Sequence, residues 1–329
     1  MRFGIALQSN KTPAEYVAQA QSIEQYAFDV VSVYNDLFFQ PAFGPLLLMA
    51  PHLRRAQLGP AALNPFCTHP VEIAGQIAVL DLVTQGRAYL GLARGSWLDQ
   101  LGIVSRRPIQ TLRECVRLIR HLLSKQAGGF AGEVFSLSPG HTLQYPVVRE
   151  SVPITIGTWG PHTARLAGEL ADEVKIGGSA NPSMAGYLRA FIVDGERAAG
   201  RAAGSVGVCL GAVTVVDLDR ARARAAARRE LAMYVPIVAP LDPTLRDAEW
   251  LRPITALAER GDFSAIAGLI PDAALDRLAF AGAPADLVRQ VEDLARAGVT
   301  RVEFGTPHGL DPLEGIRLLG EQVLPSFRS

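Results

Sequence analysis

The feature that most constrains this chain is an alternation of short apolar runs with amphipathic segments, repeated about eight times. The runs, such as 30–34 and 88–93, are continuously apolar rather than alternating in polarity. Strands of that kind are buried on both faces, which is typical of a parallel sheet covered by helices. About eight strand–helix units favour a closed barrel over an open sheet, so we expect an α/β fold of the (β/α)8 TIM-like barrel type.

The open alternative is a dinucleotide-binding sheet, and the first strand–helix unit speaks against it. No G-x-G-x-x-G pattern follows the strand-like run at 3–8. Helical spacing instead begins after Thr12, which is a good N-cap, with Pro13 in the first helical position and Glu15 where a capping box needs it. The pattern therefore predicts an ordinary capped helix after the first strand.

Two segments interrupt the alternation. Residues 128–152 are typical of a hairpin inserted before the fifth strand, and residues 240–276, rich in Pro and Asp, of an irregular lid or rim insertion. Barrels with insertions commonly reach the length of this chain, which has 329 residues. We therefore expect residues 1–329 to form one domain that carries these two insertions.

Composition and charge exclude several classes of protein. Lys plus Arg and Asp plus Glu are both 32, so the net charge favours neither nucleic acid nor an anionic membrane. No apolar run reaches the length of a membrane span, and the N-terminus lacks the apolar stretch of a signal peptide. Cys67, Cys115 and Cys209 form no C-x-x-C pair, so neither a metal site nor a redox pair is expected. These observations predict a soluble, cytoplasmic protein with reduced thiols.

In a barrel of this type, the loops after the C-terminal ends of the strands form the active-site face. Those loops contain few acids or bases, and they lack a nucleophile elbow, a metal-binding His pair and a P-loop Lys. Glycines, amides and aromatic residues predominate, which indicates a bound cofactor that supplies the chemistry. The positions selected in this way are Gln8, 35–36, Asn64, 94–97, 157–160, 177–178 and 305–309.

One of these loops has the form of a phosphate site. A strand ends near Gly157, a tight turn reaches Gly160, and a helix opens on Pro161, where the missing N–H of proline costs nothing. Unpaired N–H groups at a helix start attract anions. The stretch therefore predicts a phosphate seat, with an ordinary strand–helix turn as the alternative.

Several runs resemble a known family. LGPAALNPFCTHPVEIA at 58–74 and LDLVTQGRAYLGLARGSW at 80–97 resemble bacterial-luciferase-like oxidoreductases. The stretch 153–178 and the tail VEFGTPHG at 302–309 resemble in particular the branch of coenzyme F420-dependent methylenetetrahydromethanopterin reductases. The resemblance covers nearly the whole chain and implies a TIM-like barrel that holds a flavin or deazaflavin in its mouth. The implied cofactor is coenzyme F420, with FMN as the alternative.

The resemblance also implies where this cofactor would lie. A non-proline cis peptide under the ring would fall at Ala61-Ala62, and Asn64 would flank the ring together with the loop at 94–97. The phosphate would lie between two glycine-containing turns. The residues implied for cofactor binding are Gln8, Ala61, Ala62, Asn64, Arg94, Trp97, Gly157, Thr158, Trp159, Gly160, Gly177 and Gly178.

The catalytic residues implied by the resemblance are Asp36 and Ser96. Asp36 matches the Asp of the family's Asp-His pair, but Leu37 occupies the position of the His. Because that His acts as a base in sugar-phosphate-oxidising relatives, Leu37 argues against their reaction. The acidic residue that some relatives carry after the fourth strand is also absent, and Ser96 stands in that loop. Asp36, a water molecule or the substrate would then have to supply any proton.

Three functions follow. The first is an oxidoreductase that transfers a hydride between reduced coenzyme F420 and a small organic substrate with an activated C=C or C=N bond. The second is a luciferase-like monooxygenase that uses reduced FMN, and the third is a non-catalytic flavin- or deazaflavin-binding protein. Relatives commonly pair through helices near the second and third strands, so a homodimer is expected, and the apolar run at 45–49 is compatible with it.

Overall fold

A closed barrel of parallel strands forms the centre of the computed structural model, which describes residues 1–328. The strands are β1 (Arg2–Leu7), β2 (Val30–Val33), β3 (Gln57–Pro60), β4 (Leu90–Leu92), β5 (Phe130–Ala131), β6 (Ser136–Leu137), β7 (Ile154–Gly157), β8 (Glu173–Gly177), β9 (Gly207–Val216), β10 (Ala279–Gly282) and β11 (Arg301–Gly309). Neighbouring strands follow the order β3-β2-β1-β11-β9-β8-β7-β4. Bridges between Leu58 and Ala88 and between Leu63 and Leu92 join β3 to β4 and close the barrel. The predicted TIM-like fold is confirmed.

Helices surround the barrel and follow the strands as the alternation predicts. They are α1 (Pro13–Gln25), α2 (Phe43–Met49), α3 (Pro70–Val83), α4 (Pro108–Leu123), α5 (Pro161–Leu170), α6 (Pro182–Ala198), α7 (Arg220–Leu231), α8 (Val235–Val238), α9 (Ile254–Glu259), α10 (Phe263–Leu269), α11 (Asp272–Leu278), α12 (Pro284–Arg296) and α13 (Pro312–Leu318). Helix α1 has the predicted capping box between Thr12 and Glu15. Within residues 1–328, every helix is too short or too polar to span a bilayer.

The interior of the barrel is polar, which the apolar strand pattern did not predict. Glu303 on β11 pairs with Lys175 on β8 and, at 2.6 Å, with Arg301. Arg301 in turn binds Glu173 at 2.5 Å, and Ser32 donates a hydrogen bond of 2.5 Å to Glu303. Four charged side chains from two strands therefore fill the space that branched apolar residues occupy in most such barrels.

These four charges alternate in sign in the order of their contacts, which is Glu173, Arg301, Glu303 and Lys175. Lys175 follows Glu173 by two residues on β8 and therefore lies nearer the barrel mouth than Glu173 does. Burial alone would raise the pKa of Glu303, but the charges of Lys175 and Arg301 outweigh it and hold that pKa at about 2. Glu303 is therefore ionised at neutral pH, and the charge of Lys175 reaches the Asp36 carboxyl group at the mouth.

The segment 240–276 is helical, so the prediction of an irregular insertion was wrong. It contains α9, α10 and the start of α11, and its Ile254, Ile266 and Ile270 form a second apolar core with residues of α7 and β10. The Asp and Pro residues that indicated irregularity begin helices: the Asp262 carboxylate, for example, accepts the N–H of Ala265 at the start of α10. This segment packs at the rim beside β9.

Two further elements differ from the sequence prediction. Strand β10 was not predicted, and it pairs with the upper half of β9, where Ala279 lies opposite Val213. Strand β11 continues to Gly309, well beyond the predicted end at Phe304, through an irregularity between Gly305 and His308. Both additions lengthen the sheet at the C-terminal end of the barrel, which is the end that carries the site.

The predicted hairpin at 128–152 is confirmed as β5 and β6, but it lies along the outer flank of the barrel. Glu114 on α4 accepts the backbone N–H groups of residues 133–135 at 2.8 to 2.9 Å. Arg149 binds the Asp81 carboxylate on α3 at 2.5 and 3.0 Å. These contacts fasten the hairpin to α3 and α4, which leaves it beside the mouth rather than over it.

His308 is a structural residue of the upper barrel. Its ring is fully buried, and its Nε2 donates to the Ala6 carbonyl at 3.1 Å, which ties β11 to β1. Its Nδ1 has no hydrogen-bond partner within residues 1–328. Burial lowers the pKa of His308 from 6.5 to about 4. The native protein therefore holds this imidazole neutral.

This pKa shift predicts acid sensitivity. Because the folded pKa lies below the unfolded one, the stabilisation is complete above pH 6.5 and is lost as the pH falls toward 4. We expect the free energy of unfolding to fall by about 3 kcal/mol more in wild type than in His308→Asn over this range. Asn suits the positive φ of this position, which is 76°. Urea unfolding at several pH values measures the difference, and parallel curves for the two proteins would contradict the prediction.

Candidate functional site

At the C-terminal end of the barrel the inward-facing residues are mostly small and partly exposed, and we call the space that they line the hollow. Because side chains alternate between the two faces of a strand, residues two positions apart both face the interior of the barrel. The partly exposed inward residues that line the hollow are Tyr34, Ala61, Ala93, Gly157, Gly177 and Val213. The residues two positions earlier are buried and form its floor: Ser32, Gly59, Gly91, Thr155, Lys175 and Gly211.

The space above the floor is open on the β7–β8 side. A Cβ added to Gly177 would meet nothing within 4 Å, and one added to Gly157 would meet Ala93 Cβ at 3.4 Å. Alanine lines the neighbouring walls, at Ala93 on the β4 side and Ala61 on the β3 side. Flat walls of glycine and alanine leave room for a planar ring system, so the residues present fit a flavin or a deazaflavin.

Asp36 is a carboxylate at the edge of the hollow. It lies just after β2 and is half-buried, and Gln8 Nε2 donates to its Oδ2 at 3.2 Å. Burial raises the pKa of Asp36, while the hydrogen bond from Gln8 and the charge of Lys175 partly offset that effect. A carboxyl group with a raised pKa at the edge of a hollow is suited to donate or accept a proton.

The turn that begins at Gly157 differs from the predicted phosphate seat in one respect. The Gly160 N–H is already bound by Thr158 Oγ1 at 3.0 Å, and the Thr158 N–H is bound by the Lys175 carbonyl at 2.9 Å. These two amides are therefore not available to a phosphate. The remaining donors are the N–H groups of His162 and Thr163 in the first turn of α5, which has no side-chain cap.

The opposite turn contributes space rather than donors. The Gly178 N–H binds the Gly211 carbonyl at 2.6 Å, and Gly177 pairs with Gly211 in the sheet. Gly178 has a φ of +79°, and a Cβ there would meet Val238 at 3.0 Å. The Gly178 amide thus holds β8 to β9, and the missing side chains of Gly177 and Gly178 leave space at the mouth. The predicted role of these two residues in cofactor binding stays a prediction.

Trp159 joins the turn after β7 to the end of β8. Its Nε1 donates to the Gly177 carbonyl at 2.8 Å, and its ring packs against both apolar cores, including the one formed by the helical segment at the rim. The indole therefore braces the turn after β7 against the turn after β8. Its predicted contribution to cofactor binding stays a prediction.

The third strand ends as the resemblance implied. The Ala61–Ala62 peptide is cis, and both residues are partly exposed at the hollow. Asn64 follows them and is 6% exposed, with its Oδ1 accepting the N–H groups of Phe66 and Cys67 at 3.2 and 2.9 Å. Asn64 thus holds its own loop in place and packs beside Gly95, where a Cβ would meet its amide at 3.0 Å.

The loop after β4 is the least constrained part of the site. Arg94 and Ser96 are exposed, and neither has a side-chain hydrogen bond to another of residues 1–328. Trp97 is half-buried with a φ of +57°. The structure therefore brings this loop to the mouth without fixing the side chains that were predicted to contact the ring or the substrate.

Sequence reasoning missed three residues at the mouth. Lys175 forms part of the floor, Tyr34 stands beside it, with the ammonium group 5.2 Å from the centre of the ring, and Tyr234 follows α7 at the rim. Burial raises the pKa of Tyr234, and the nearby charge of Asp36 adds to the shift. For these three residues the local sequence gave one indication, which was the lysine within the otherwise apolar strand E-V-K-I-G. Residues 1–328 contain no cluster of three or more His, Cys, Asp or Glu side chains that could bind a metal ion.

The closed barrel with small residues at its mouth defines a TIM-like barrel, and comparison with known proteins gives its family. A family model described as luciferase-like monooxygenase matches residues 1–301, and the chain belongs to that family. The family resemblance predicted from the sequence motifs is thereby confirmed.

Three individual relatives show which members of the family this chain is similar to. The 5,10-methylenetetrahydromethanopterin reductase of Archaeoglobus fulgidus is 30% identical over 339 residues, with 100% of each chain covered. An F420-dependent glucose-6-phosphate dehydrogenase of Nakamurella multipartita is 27% identical and covers 100% of this chain and 97% of its own. The coenzyme F420-dependent tetrahydromethanopterin reductase of Methanopyrus kandleri superposes with a TM-score of 0.91, at 26% identity and 99% coverage of both chains.

Proposed function

We propose that this protein is an oxidoreductase that transfers a hydride between reduced coenzyme F420 and a small organic substrate with an activated C=C or C=N bond. The observation that carries the proposal is the hollow lined by glycine and alanine, with Asp36 at its edge and few other acids or bases around it. The similarity over full length to F420-dependent reductases supports the choice of coenzyme. The coenzyme would supply the hydride, and the protein would supply the binding surface and the proton.

Different residues of the chain would bind the ring, the phosphate and the substrate. Ala61, Ala93, Gly157 and Gly177 would accept the ring, and the first turn of α5 would bind the phosphate through its free N–H groups. Ala62, Asn64, Arg94 and Trp97 would border the substrate side. The floor beneath the ring would exclude water because its residues are buried, and Ser32 and Lys175 both bind the Glu303 carboxylate.

The need for a proton depends on the substrate. Hydride addition to an iminium carbon leaves the former π electron pair on nitrogen, and the product is a neutral amine without further proton transfer. Hydride addition to an activated C=C bond places that pair on the second carbon, which must then take up a proton. Asp36, whose pKa is raised by burial, is placed to donate that proton. Ser96 is exposed and would contact the substrate rather than transfer protons.

Oxidation of a sugar phosphate fits this site less well, although one relative carries that activity in its name. Abstraction of a hydroxyl proton requires a base at the reacting carbon. Leu37 follows Asp36 and has no ionisable group, and the exposed loop after β4 carries Ser96 rather than an acid. We therefore place this protein with the reductases.

Titration with both cofactors tests the proposal against the FMN-dependent monooxygenase, which the family description keeps as the alternative. We expect purified protein to bind coenzyme F420 more tightly than FMN in fluorescence titrations. We also expect it to oxidise the reduced coenzyme in the presence of an activated alkene or an iminium compound. Oxygen uptake with reduced FMN and an organic substrate would support the monooxygenase instead. Tight binding of either cofactor without turnover would support a binding protein.

Gly160→Val tests the phosphate site. The backbone φ at Gly160 is −105°, which any residue adopts, and a Cβ there would meet only Thr158 Oγ1, at 3.9 Å. The variant should therefore fold normally. If the phosphate lies against this turn, the added side chain should weaken coenzyme binding by about 1–3 kcal/mol, or roughly 5- to 150-fold.

The matched control is Gly160→Ala, which adds one methyl group at the same position and should lose less affinity than the valine variant. Fluorescence titration with the coenzyme measures both. Unchanged affinity in the valine variant would remove the phosphate from this turn.

We also propose a homodimer that functions in the cytoplasm. Leu48 on α2 and Val79, Leu82 and Val83 on α3 are 41% to 48% exposed, an amount of apolar surface that a partner subunit would cover. Cys67, Cys115 and Cys209 are unpaired, as expected in a reducing compartment. A monomeric mass in light scattering would contradict the dimer.

A further inference from the structure

The floor of the hollow contains one charged side chain, Lys175, whose position the proposed function does not explain. Its ammonium group has three donors, and within residues 1–328 only Glu303 accepts a hydrogen bond from it. The side chain is 9% exposed, and Gly177, two residues further along β8, leaves the space above it open. The ammonium group therefore lies beneath the hollow without a wall of side chains between them.

Glu303 offsets only part of the charge of Lys175, because the Asp36 carboxyl group at the mouth still feels that charge. The contacts continue from Glu303 to Arg301 and Glu173, and Glu173 lies at the start of β8, away from the mouth. An alternating column with a cationic upper end presents positive potential to whatever lies above it. Asp36 is the acidic group on the mouth side that interacts with Lys175, and burial favours its neutral form.

A structural role alone accounts poorly for this column. Replacement of buried ion pairs by apolar residues of similar volume is often neutral or stabilising, so burial of four charges in a barrel core is a cost. Each of the interior glycines Gly4 and Gly211 makes room for the column, since a Cβ at either would meet the side chain of Glu303 at 3.3 Å. The core is thus shaped around the charges.

We propose that Lys175 makes the mouth favour the reduced form of the bound coenzyme, an inference that rests on the proposed use of a deazaflavin. Reduction adds a hydride to the ring, which is one proton and two electrons, so the ring gains one unit of negative charge until a proton follows from solvent. A cation beneath the ring stabilises that form relative to the oxidised one. Lys175 acts on the charge of the ring and touches no reacting atom of the substrate.

The size of the effect follows from distance. Two residues along a strand separate the floor from the ring by about 7 Å. At that distance a buried charge should change the ratio of the affinities for the reduced and the oxidised coenzyme about tenfold, after allowance for partial exposure. For a two-electron couple, a tenfold change in this ratio corresponds to a shift of about 30 mV in the potential of the bound coenzyme.

The test compares wild type, Lys175→Met and Lys175→Arg in anaerobic titrations with oxidised and with reduced coenzyme F420. We expect Lys175→Met to bind the reduced form about tenfold more weakly while its affinity for the oxidised form changes little. Lys175→Arg keeps the charge and should keep the wild-type ratio. Damage to packing would weaken both forms together, so an equal loss in the Met variant, or the same altered ratio in both variants, overturns the inference.

Wild-type protein provides a second measurement that does not depend on the folding of any variant. The midpoint potential of the bound coenzyme should be more positive than that of the free coenzyme. A potential equal to or more negative than the free value overturns the inference, even if both variants fail to fold. If wild type binds neither form of the coenzyme, the proposed function itself has failed. Normal binding with an unaltered ratio in Lys175→Met rejects only the role of Lys175.

Discussion

Asp36→Asn should lower kcat about 100-fold with a substrate whose C=C bond is reduced, because the amide cannot donate the proton that a carboxyl group supplies. Coenzyme affinity should change little, since Asn keeps the size of the side chain and can still accept the hydrogen bond from Gln8. The raised pKa of Asp36 predicts a second signature. The rate of the wild type should fall as the pH rises through that pKa, and the variant should lose this dependence.

Steady-state kinetics and coenzyme titration of the same variant separate the possible roles of Asp36. Loss of kcat with intact binding supports proton donation, whereas equal loss of both would identify a structural cap of the loop after β2. Gln8→Leu is the matched control, because it removes the hydrogen bond to Asp36 but leaves the carboxyl group. It should retain most of the activity and raise the pKa seen in the rate profile. A wild-type rate in Asp36→Asn would show that solvent or substrate supplies the proton.

Arg301→Met should lower the free energy of unfolding by about 3 kcal/mol, because it leaves the buried Glu303 and the partly buried Glu173 carboxylates without their shared partner. The Arg301 side chain is 2% exposed and binds Glu173 at 2.5 Å and Glu303 at 2.6 Å. Lys175 would remain as the cation next to Glu303, so Glu173 should account for much of the loss. Urea unfolding followed by circular dichroism measures the change.

A surface pair of the same chemistry serves as the control. Arg317 binds Glu314 at 2.6 Å and Glu321 at 2.5 Å, but its side chain is 40% exposed. Arg317→Met should therefore cost no more than about 1 kcal/mol. In the double variant Arg301→Met, Glu173→Gln, part of the loss should be recovered, since the uncompensated carboxylate is gone. Similar costs for Arg301→Met and Arg317→Met would contradict the idea of a charged column that is sealed from water.

Local sequence patterns predicted the elements whose causes are local. The capping box of Thr12 and Glu15 lies within one turn, and the proline starts of α3 and α5 fall at Pro70 and Pro161 as the sequence indicated. The segment 240–276 was misread because Asp and Pro are typical both of loops and of helix starts. Its short helices exist because they bury an apolar face against α7, a contact that no local pattern contains.

The candidate site was predicted in position and only partly in detail. The predicted strand ends placed Gln8 and Asp36 at the mouth of the barrel. Their hydrogen bond joins residues 28 positions apart, so the local sequence did not predict it. The Lys175–Glu303 pair spans 128 positions, so the sequence offers two lone charges in apolar strands and no sign that they meet. The turn at 157–160 was predicted to bind a phosphate, but the Thr158 hydroxyl oxygen accepts the Gly160 N–H. That serine- or threonine-type turn is local and could have been predicted.

The way in which the hairpin at 128–152 is fastened also determines how molecules reach the ring. Glu114 and Arg149 hold it against the flank, so that side of the entrance is a fixed wall. The other border is formed by the segment around Val238, which reaches over Gly178. We therefore expect bulk added near Val238 to narrow the entrance and slow product release, whereas changes at the tip of the hairpin should leave that rate unchanged.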